Sequence, residues 1–230
     1  MKAAFEFSHS LHRQLDLYAL AASAAGVGAL ALAHPAQAKI IYTPANTSIV
    51  NGTPLDLNHD HQADFRFATN TWHITSTFSF GLSVLAVGKN RIWGTSVYTC
   101  RTTCKRVGYA SALGAGARIG PNKKKLQRGN DRMGRWMQGI PGSTFSGGPW
   151  AKVQDGYLGL KFLIDGKAHY GWARIHIKDT WKGGVTLTGY AYETIPNKAI
   201  IMGKTKGPDV ITVQPDIARG SLGGLALGRK

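Results

Sequence analysis

The nine residues Asp56-Leu57-Asn58-His59-Asp60-His61-Gln62-Ala63-Asp64 place oxygen-bearing side chains at relative positions 1, 3, 5 and 9, with the carbonyl of Gln62 at position 7. Such alternation wraps a short loop around one hard cation, because Ca²⁺ takes about six to eight oxygens at about 2.3–2.6 Å. Two departures separate it from an EF-hand: the sixth position, where glycine supplies the sharp turn, is His61, and the twelfth is Phe67, not a bidentate Glu. The expectation is a shorter calcium-type loop with Asp56, Asn58, Asp60, Gln62 and Asp64 as ligands. Its affinity should fall in the extracellular range of about 10⁻⁴–10⁻³ M. A left-handed His61 would cost about 1–2 kcal/mol. The competing reading is an Asx-rich turn without metal. His59 and His61 share the loop, and imidazole suits Zn, Cu or Ni, although solvation explains exposed loop histidines equally well.

The second chemical signal is charge. Lys and Arg number 28 against 12 Asp and Glu, giving +16. Twelve of the basic residues lie between Lys89 and Arg135, where Asp131 is the one acid. Arg118, Lys123, Lys124, Lys125, Arg128, Arg132 and Arg135 are the candidate anion-binding set. Outside a cell their partners would be acidic polysaccharide or another envelope polyanion, bound with steep salt dependence. The alternative is a solvated face that keeps the protein soluble. Trp93 and Trp136 lie among these charges and could stack on a ligand or belong to the core. No nucleic-acid-binding signature accompanies the charge, which argues against specific nucleic-acid recognition.

Catalytic chemistry has little to work with. The sequence lacks the Gly-x-Ser-x-Gly elbow, the His-Glu-x-x-His motif, the Walker loop and the dinucleotide fingerprint. Asp155, Asp165, Asp179 and Glu193 could supply a carboxylate pair for glycoside cleavage, yet Asp165 is better explained by a hairpin. His169 and His176 lie an odd number of residues apart and so on opposite strand faces. No catalytic residue is assigned.

Residues 1–38 read as an export signal. Lys2 and Arg13 precede the apolar run Leu17–Ala33, and Ala36-Gln37-Ala38 supplies the small-x-small cleavage site. His34 and Pro35 end the run short of the roughly 20 residues a spanning helix needs, and no further long apolar run follows. The expected product is secreted or displayed at the cell surface, without a transmembrane segment in the mature chain. Cys100 and Cys104 are the only cysteines. Export favours a small structural disulfide loop between them over a metal or redox pair.

The elements that must carry these groups are strands. Ala63, Phe65 and Phe67 share one face, Asn51-Gly52-Thr53-Pro54 is turn chemistry, and Thr71–Val87 has strand composition. Leu158, Leu160, Phe162 and Ile164 alternate with Gly159, Lys161 and Leu163 up to Asp165-Gly166, a two-residue hairpin signal. Tyr170, Trp172, Arg174 and His176 then oppose Gly171, Ala173, Ile175 and Ile177, and Val185–Tyr192 alternates in turn. A three-stranded antiparallel meander follows. The expected fold is all-β: an antiparallel β-sandwich, jelly-roll-like or Ig-like, as a single domain over 39–200. Residues 88–150 should form a loop-rich basic insertion, because Gly114, Gly116, Gly120, Pro121, Gly129 and Gly134 interrupt any period. Residues 201–230 should be a flexible Gly- and Lys-rich tail.

The stretches Tyr157-Leu158-Gly159-Leu160-Lys161-Phe162, His169-Tyr170-Gly171-Trp172-Ala173-Arg174 and Gly189-Tyr190-Ala191-Tyr192-Glu193-Thr194 resemble uncharacterised exported bacterial proteins of the carboxy-terminal sorting-tail (PEP-CTERM-like) type. Glu193-Thr194-Ile195-Pro196-Asn197-Lys198 and Gly203-Lys204-Thr205-Lys206-Gly207 bring the resemblance nearest to an acidobacterial set. It implies an exported envelope or surface protein and transfers no catalytic residue. The tail departs from the pattern: Val213-Gln214-Pro215-Asp216 stands where Pro-Glu-Pro would, and Leu222–Leu227 is too short to span a membrane. The reading is a non-enzymatic envelope or matrix protein that binds acidic polysaccharide; a surface-layer subunit and a secreted glycan-acting enzyme are the alternatives.

Overall fold

The computed structural model describes residues 39–214, apart from 75, 101–102, 122–124, 128–129, 140–142 and 180–183. The described residues all belong to one compact unit. The expected export signal, and the part of the tail from Pro215 onward, lie outside the described residues. No described helix is long and apolar enough to cross a membrane.

The strands are β1 (Ile40–Ser48), β2 (Pro54–Leu55), β3 (Phe65–Ile74), β4 (Thr77–Ala86), β5 (Arg91–Cys100), β6 (Cys104–Ala110), β7 (Arg118–Ile119) and β8 (Leu126–Gln127). They continue as β9 (Asn130–Gln138), β10 (Thr144–Gly147), β11 (Asp155–Ile164), β12 (Lys167–Asp179), β13 (Gly184–Glu193), β14 (Ile200–Ile201) and β15 (Val210–Thr212). Their order is β15-β1-β13-β12-β11-β5-β6-β9-β4-β3-β2, an open sheet rather than a barrel, with β8 beside β5 and β10 beside β9. Pairing is antiparallel except for β1 with β15 and β6 with β9.

One strand belongs to both halves of this sheet. Arg91 and Ile92 of β5 pair with β11, whereas Gly94–Cys100 pair with β6. A strand that changes sheets is how a sandwich makes a corner. Between the two halves, Phe65, Phe67, Phe80, Leu82 and Val84 meet Leu158, Leu160, Phe162, Ala173, Ile175 and Leu187 in one core. The fold is therefore the expected all-β sandwich. The β11–β12–β13 meander matches its alternation, and Asp165 and Gly166 take the two positive φ angles, 50° and 74°, that the hairpin turn requires. A one-residue slip would expose Leu158, Leu160 and Phe162 together, at about 1.5–3 kcal/mol each, so the register is firmly set.

Two boundaries differ from expectation. Within 88–150 the described irregular part is mainly Ser111–Pro121, and the stretch carries the long strands β5, β6 and β9. Charged and glycine residues hid these strands because their outer faces bear arginines and serve solvent instead of core. The fold also continues past residue 200. Ile200 and Met202 are buried against Ile119 and Trp172 in a second core, with Val210 packed beside them, and β15 pairs with β1. Trp172 lies on the face of β12 opposite the main core, so an apolar cover on that side is required.

The Cys100–Cys104 disulfide closes the β5–β6 hairpin. Among the described residues, only Gly108 and Tyr109 of β6 pair onward to β9, so the distal part of this hairpin is a two-stranded ribbon. A ribbon of two strands is marginal alone, and the cross-link limits its fraying.

Candidate functional site

The Asp56–Asp64 loop connects β2 to β3 in one half of the sandwich and is tied by hydrogen bonds to the other. Asp56 accepts the N–H groups of His59 and His61, each at 2.8 Å, on separate carboxylate oxygens. Asp60 Oδ1 accepts from Gln62 N–H at 2.8 Å and its Oδ2 accepts from Asn58 Nδ2 at 3.0 Å. His59 and His61 are both left-handed, with φ of 62° and 67°. Asp64 is buried; its Oδ2 accepts from Leu57 N–H at 2.9 Å and its Oδ1 from Asn90 Nδ2 at 3.2 Å. Asn90 Oδ1 in turn accepts from Leu163 N–H of β11 at 3.2 Å, and His59 Nε2 lies 2.9 Å from Thr43 Oγ1 of β1. Burial pushes the Asp64 carboxyl up to about 6 against the opposing pull of the Leu57 N–H, with Asp56 adding to the rise. Among the described residues, no three His, Cys, Asp or Glu side chains converge as a closed ligand set. Asn58 Oδ1 is shut off from solvent without a donor, an acceptor that a cation would satisfy.

The basic residues part company in space. Arg118 lies in β7, which packs with β14 over the second core on one outside of the molecule. Arg132 and Arg135 lie in β9 on the outer face of the other half. Lys125 is exposed beside β8, while Lys123, Lys124 and Arg128 lie outside the described residues. Trp136 is core, stacked on Phe80 with ring centroids 5.7 Å apart and donating from Nε1 to the Ala151 carbonyl, so it is not available to a ligand. Trp93 packs against the second core.

Three residues apart on a regular strand, Arg132 and Arg135 would face opposite ways. A bulge prevents this. Leu82 of β4 pairs with Gly134 and Ser83 with Arg132, leaving Met133 as an extra residue turned into the core. Both arginines therefore rise from the outer face, opposite Gly81 and Ser83, about 7 Å apart by strand rise. They stand in a groove of about 1030 Å³ whose floor includes Ala68, Ser79, Gly81 and Ser83 and whose walls include Trp72, Tyr109 and Phe145. Arg106 also lines it, and among the described residues no Asp or Glu does. Trp72 is 45% exposed and Phe145 56%. Neither Arg132 nor Arg135 has a carboxylate partner among the described residues; Arg135 Nε donates to Ser79 Oγ at 3.4 Å. The aromatic members were readable only in part: Ala68, Asn70 and Trp72 alternate with the core-facing Phe65 and Phe67, but nothing local placed Phe145 beside them.

Under the same two strands lies an unusual acid. Asp131 is wholly buried, and both of its carboxylate oxygens lack a hydrogen-bond partner. It lies against Gly108, where an added Cβ would come within 1.8 Å of Asp131 Oδ1. Burial pushes its carboxyl up to about 6, only partly offset by Arg106, whose Nε donates to Ser96 Oγ and whose Nη2 donates to Gln127 Oε1. The remaining acids are dispersed. Asp155 bonds His176 at 2.9 Å at one end of β11, Asp165 turns the hairpin at its other end, and buried Glu193 pairs with Lys198 at 3.2 Å. Buried His169 has its Nδ1 2.9 Å from the Glu193 carbonyl; the Asp179 side chain lies outside the described residues. Comparison with protein-family models, curated proteins and solved structures finds no match, so the groove and the loop are to be read on their own chemistry.

Proposed function

We propose that this protein is an exported, non-enzymatic component of the cell envelope or extracellular matrix that binds acidic polysaccharide on the outer face of β3, β4, β9 and β6. The observation that carries this reading is the groove itself: Arg132 and Arg135 are brought to one face, free of carboxylate partners among the described residues, between exposed aromatic rings. Guanidinium groups bind carboxylate and sulfate with charge-assisted hydrogen bonds, and aromatic faces take the apolar faces of sugars. Export rests on the leader-like residues 1–38, and the sorting-tail resemblance agrees with a place at the cell surface. The test is retention of the purified protein on immobilised acidic and neutral polysaccharides. Retention on the acidic chains alone, lost between about 50 and 200 mM salt, is expected from counterion release. Equal passage through both columns at low salt would overturn the assignment.

Calcium is the proposed ligand of the Asp56–Asp64 loop, supported by the enclosed Asn58 Oδ1 beside Asp56 and Asp60. Asp56, Asn58, Asp60, Gln62 and Asp64 would hold it, and its chemistry there is to neutralise clustered carboxylates and brace the junction between the sandwich halves. With a dissociation constant of about 10⁻⁴–10⁻³ M, about 10 mM calcium should stabilise by roughly 1.4–2.7 kcal/mol and raise Tm by about 3–8 °C. Asp60→Asn should remove most of that rise. Identical Tm in calcium and in chelator would leave the loop an Asx-rich turn.

A further inference from the structure

Strand register turns the outer face into a grid. Trp72 pairs with Ser79, Ser79 with Met137 and Met137 with Phe145. The next row is Asn70, Gly81, Arg135 and Gly147, and the third is Ala68, Ser83, Arg132 and Tyr109. Rows lie about 7 Å apart, so the backbone positions of Phe145 and Tyr109 stand two rows apart beside the two arginines. Gly147 is what lets Phe145 lie as it does: a Cβ there would meet the ring at 2.8 Å, so the ring lies over the glycine, beside Arg135. On the other side of Arg135, a Cβ at Gly81 would meet nothing closer than 3.8 Å, which leaves the floor open.

From this arrangement we infer that the groove takes an extended acidic sugar chain lying along β9, with ring faces on Phe145 and Tyr109 and successive acidic groups on Arg135 and Arg132. The inference rests on the polysaccharide reading and makes it specific, because a bare polyanion uses the arginines but gains nothing from the rings. The Phe145 ring beside Arg135 and Tyr109 beside Arg132 form two stations about 7 Å apart, more than one sugar ring spans, which requires a chain rather than a single sugar. Recognition is then by shape and charge together: the aromatic faces reject a chain without sugar rings, and the paired arginines reject a neutral one.

The test titrates the purified protein with polygalacturonate, with the single uronate, with a neutral polysaccharide and with inorganic polyphosphate. Polygalacturonate should bind at least tenfold more tightly than polyphosphate or the single uronate. Phe145→Ala should cut polygalacturonate affinity about tenfold and leave polyphosphate within about twofold, the scale of one lost stacking contact. Gly81→Leu, which the open floor accommodates, should block polygalacturonate while circular dichroism and Tm stay near the parent's. Equal binding of polygalacturonate and polyphosphate, untouched by Phe145→Ala, would overturn the sugar-chain track while polyanion binding stood. No binding of polygalacturonate at all would overturn the polysaccharide reading itself.

Discussion

Replacing Arg132 and Arg135 together with alanine is expected to lower affinity for an acidic polysaccharide about 100-fold and to reduce the salt slope by about two. The magnitude follows from two charge-assisted contacts of about 1.5 kcal/mol each, where 1.4 kcal/mol is tenfold. The slope follows because each cation that neutralises an anionic group releases about one counterion. Fold stability should be unchanged, since both side chains are exposed and neither forms an ion pair among the described residues. Arg118→Ala is the matched control for either single replacement: it removes one positive charge from β7, away from the groove, and should leave affinity within about twofold. A loss from Arg118→Ala as large as that from Arg132→Ala or Arg135→Ala alone would mean that the ligand reads net charge alone. Titration calorimetry at two salt concentrations separates the outcomes.

Asp131→Asn is expected to stabilise the protein by about 3 kcal/mol above pH 6 and to contribute nothing below about pH 4. The sign comes from proton linkage. The native carboxyl is raised to about 6 from an ordinary 3.8, so between these values the folded chain binds more protons than the unfolded chain. Stability therefore falls as pH rises from about 4 to about 6 and is level beyond, a loss of about 1.4 kcal/mol per pH unit of difference. Asparagine keeps the shape against Gly108 and removes the charge. Denaturant unfolding at pH 4, 5, 6 and 7 checks it: the parent should lose stability relative to the variant across this range, and parallel curves would show that Asp131 carries no such penalty.

How much of this was legible depended on how local the cause was. The β11–β12–β13 meander was, because a period of two and the Asp165-Gly166 turn act over a few residues. So was the disulfide, whose cysteines are held opposite each other by one hairpin. The Asp56–Asp64 loop was legible for a related reason: Asx side chains bond their own nearby N–H groups, and His61 does take the left-handed conformation its position demands. The basic middle was legible as charge and misleading as a site. Basic residues close in sequence are parted by strands running to different faces, which sends Arg118 to one outside and Arg132 with Arg135 to another.

Composition and periodicity by themselves determined that this chain is an all-β sandwich with a hairpin disulfide, an oxygen-rich loop and an excess of positive charge. Only the tertiary structure decided which charges act together. The Met133 bulge turns a spacing of three into a shared face, and pairing across β3, β4, β9 and β10 sets Trp72 and Phe145 in one row although 72 residues separate them. It also sent Trp136 into the core and drew Ile200–Thr212 back over Trp172. The physical reason is the same in each case. Alternation along a strand is a property of neighbouring residues, whereas register between strands is set by burial of the whole core, which no local stretch contains.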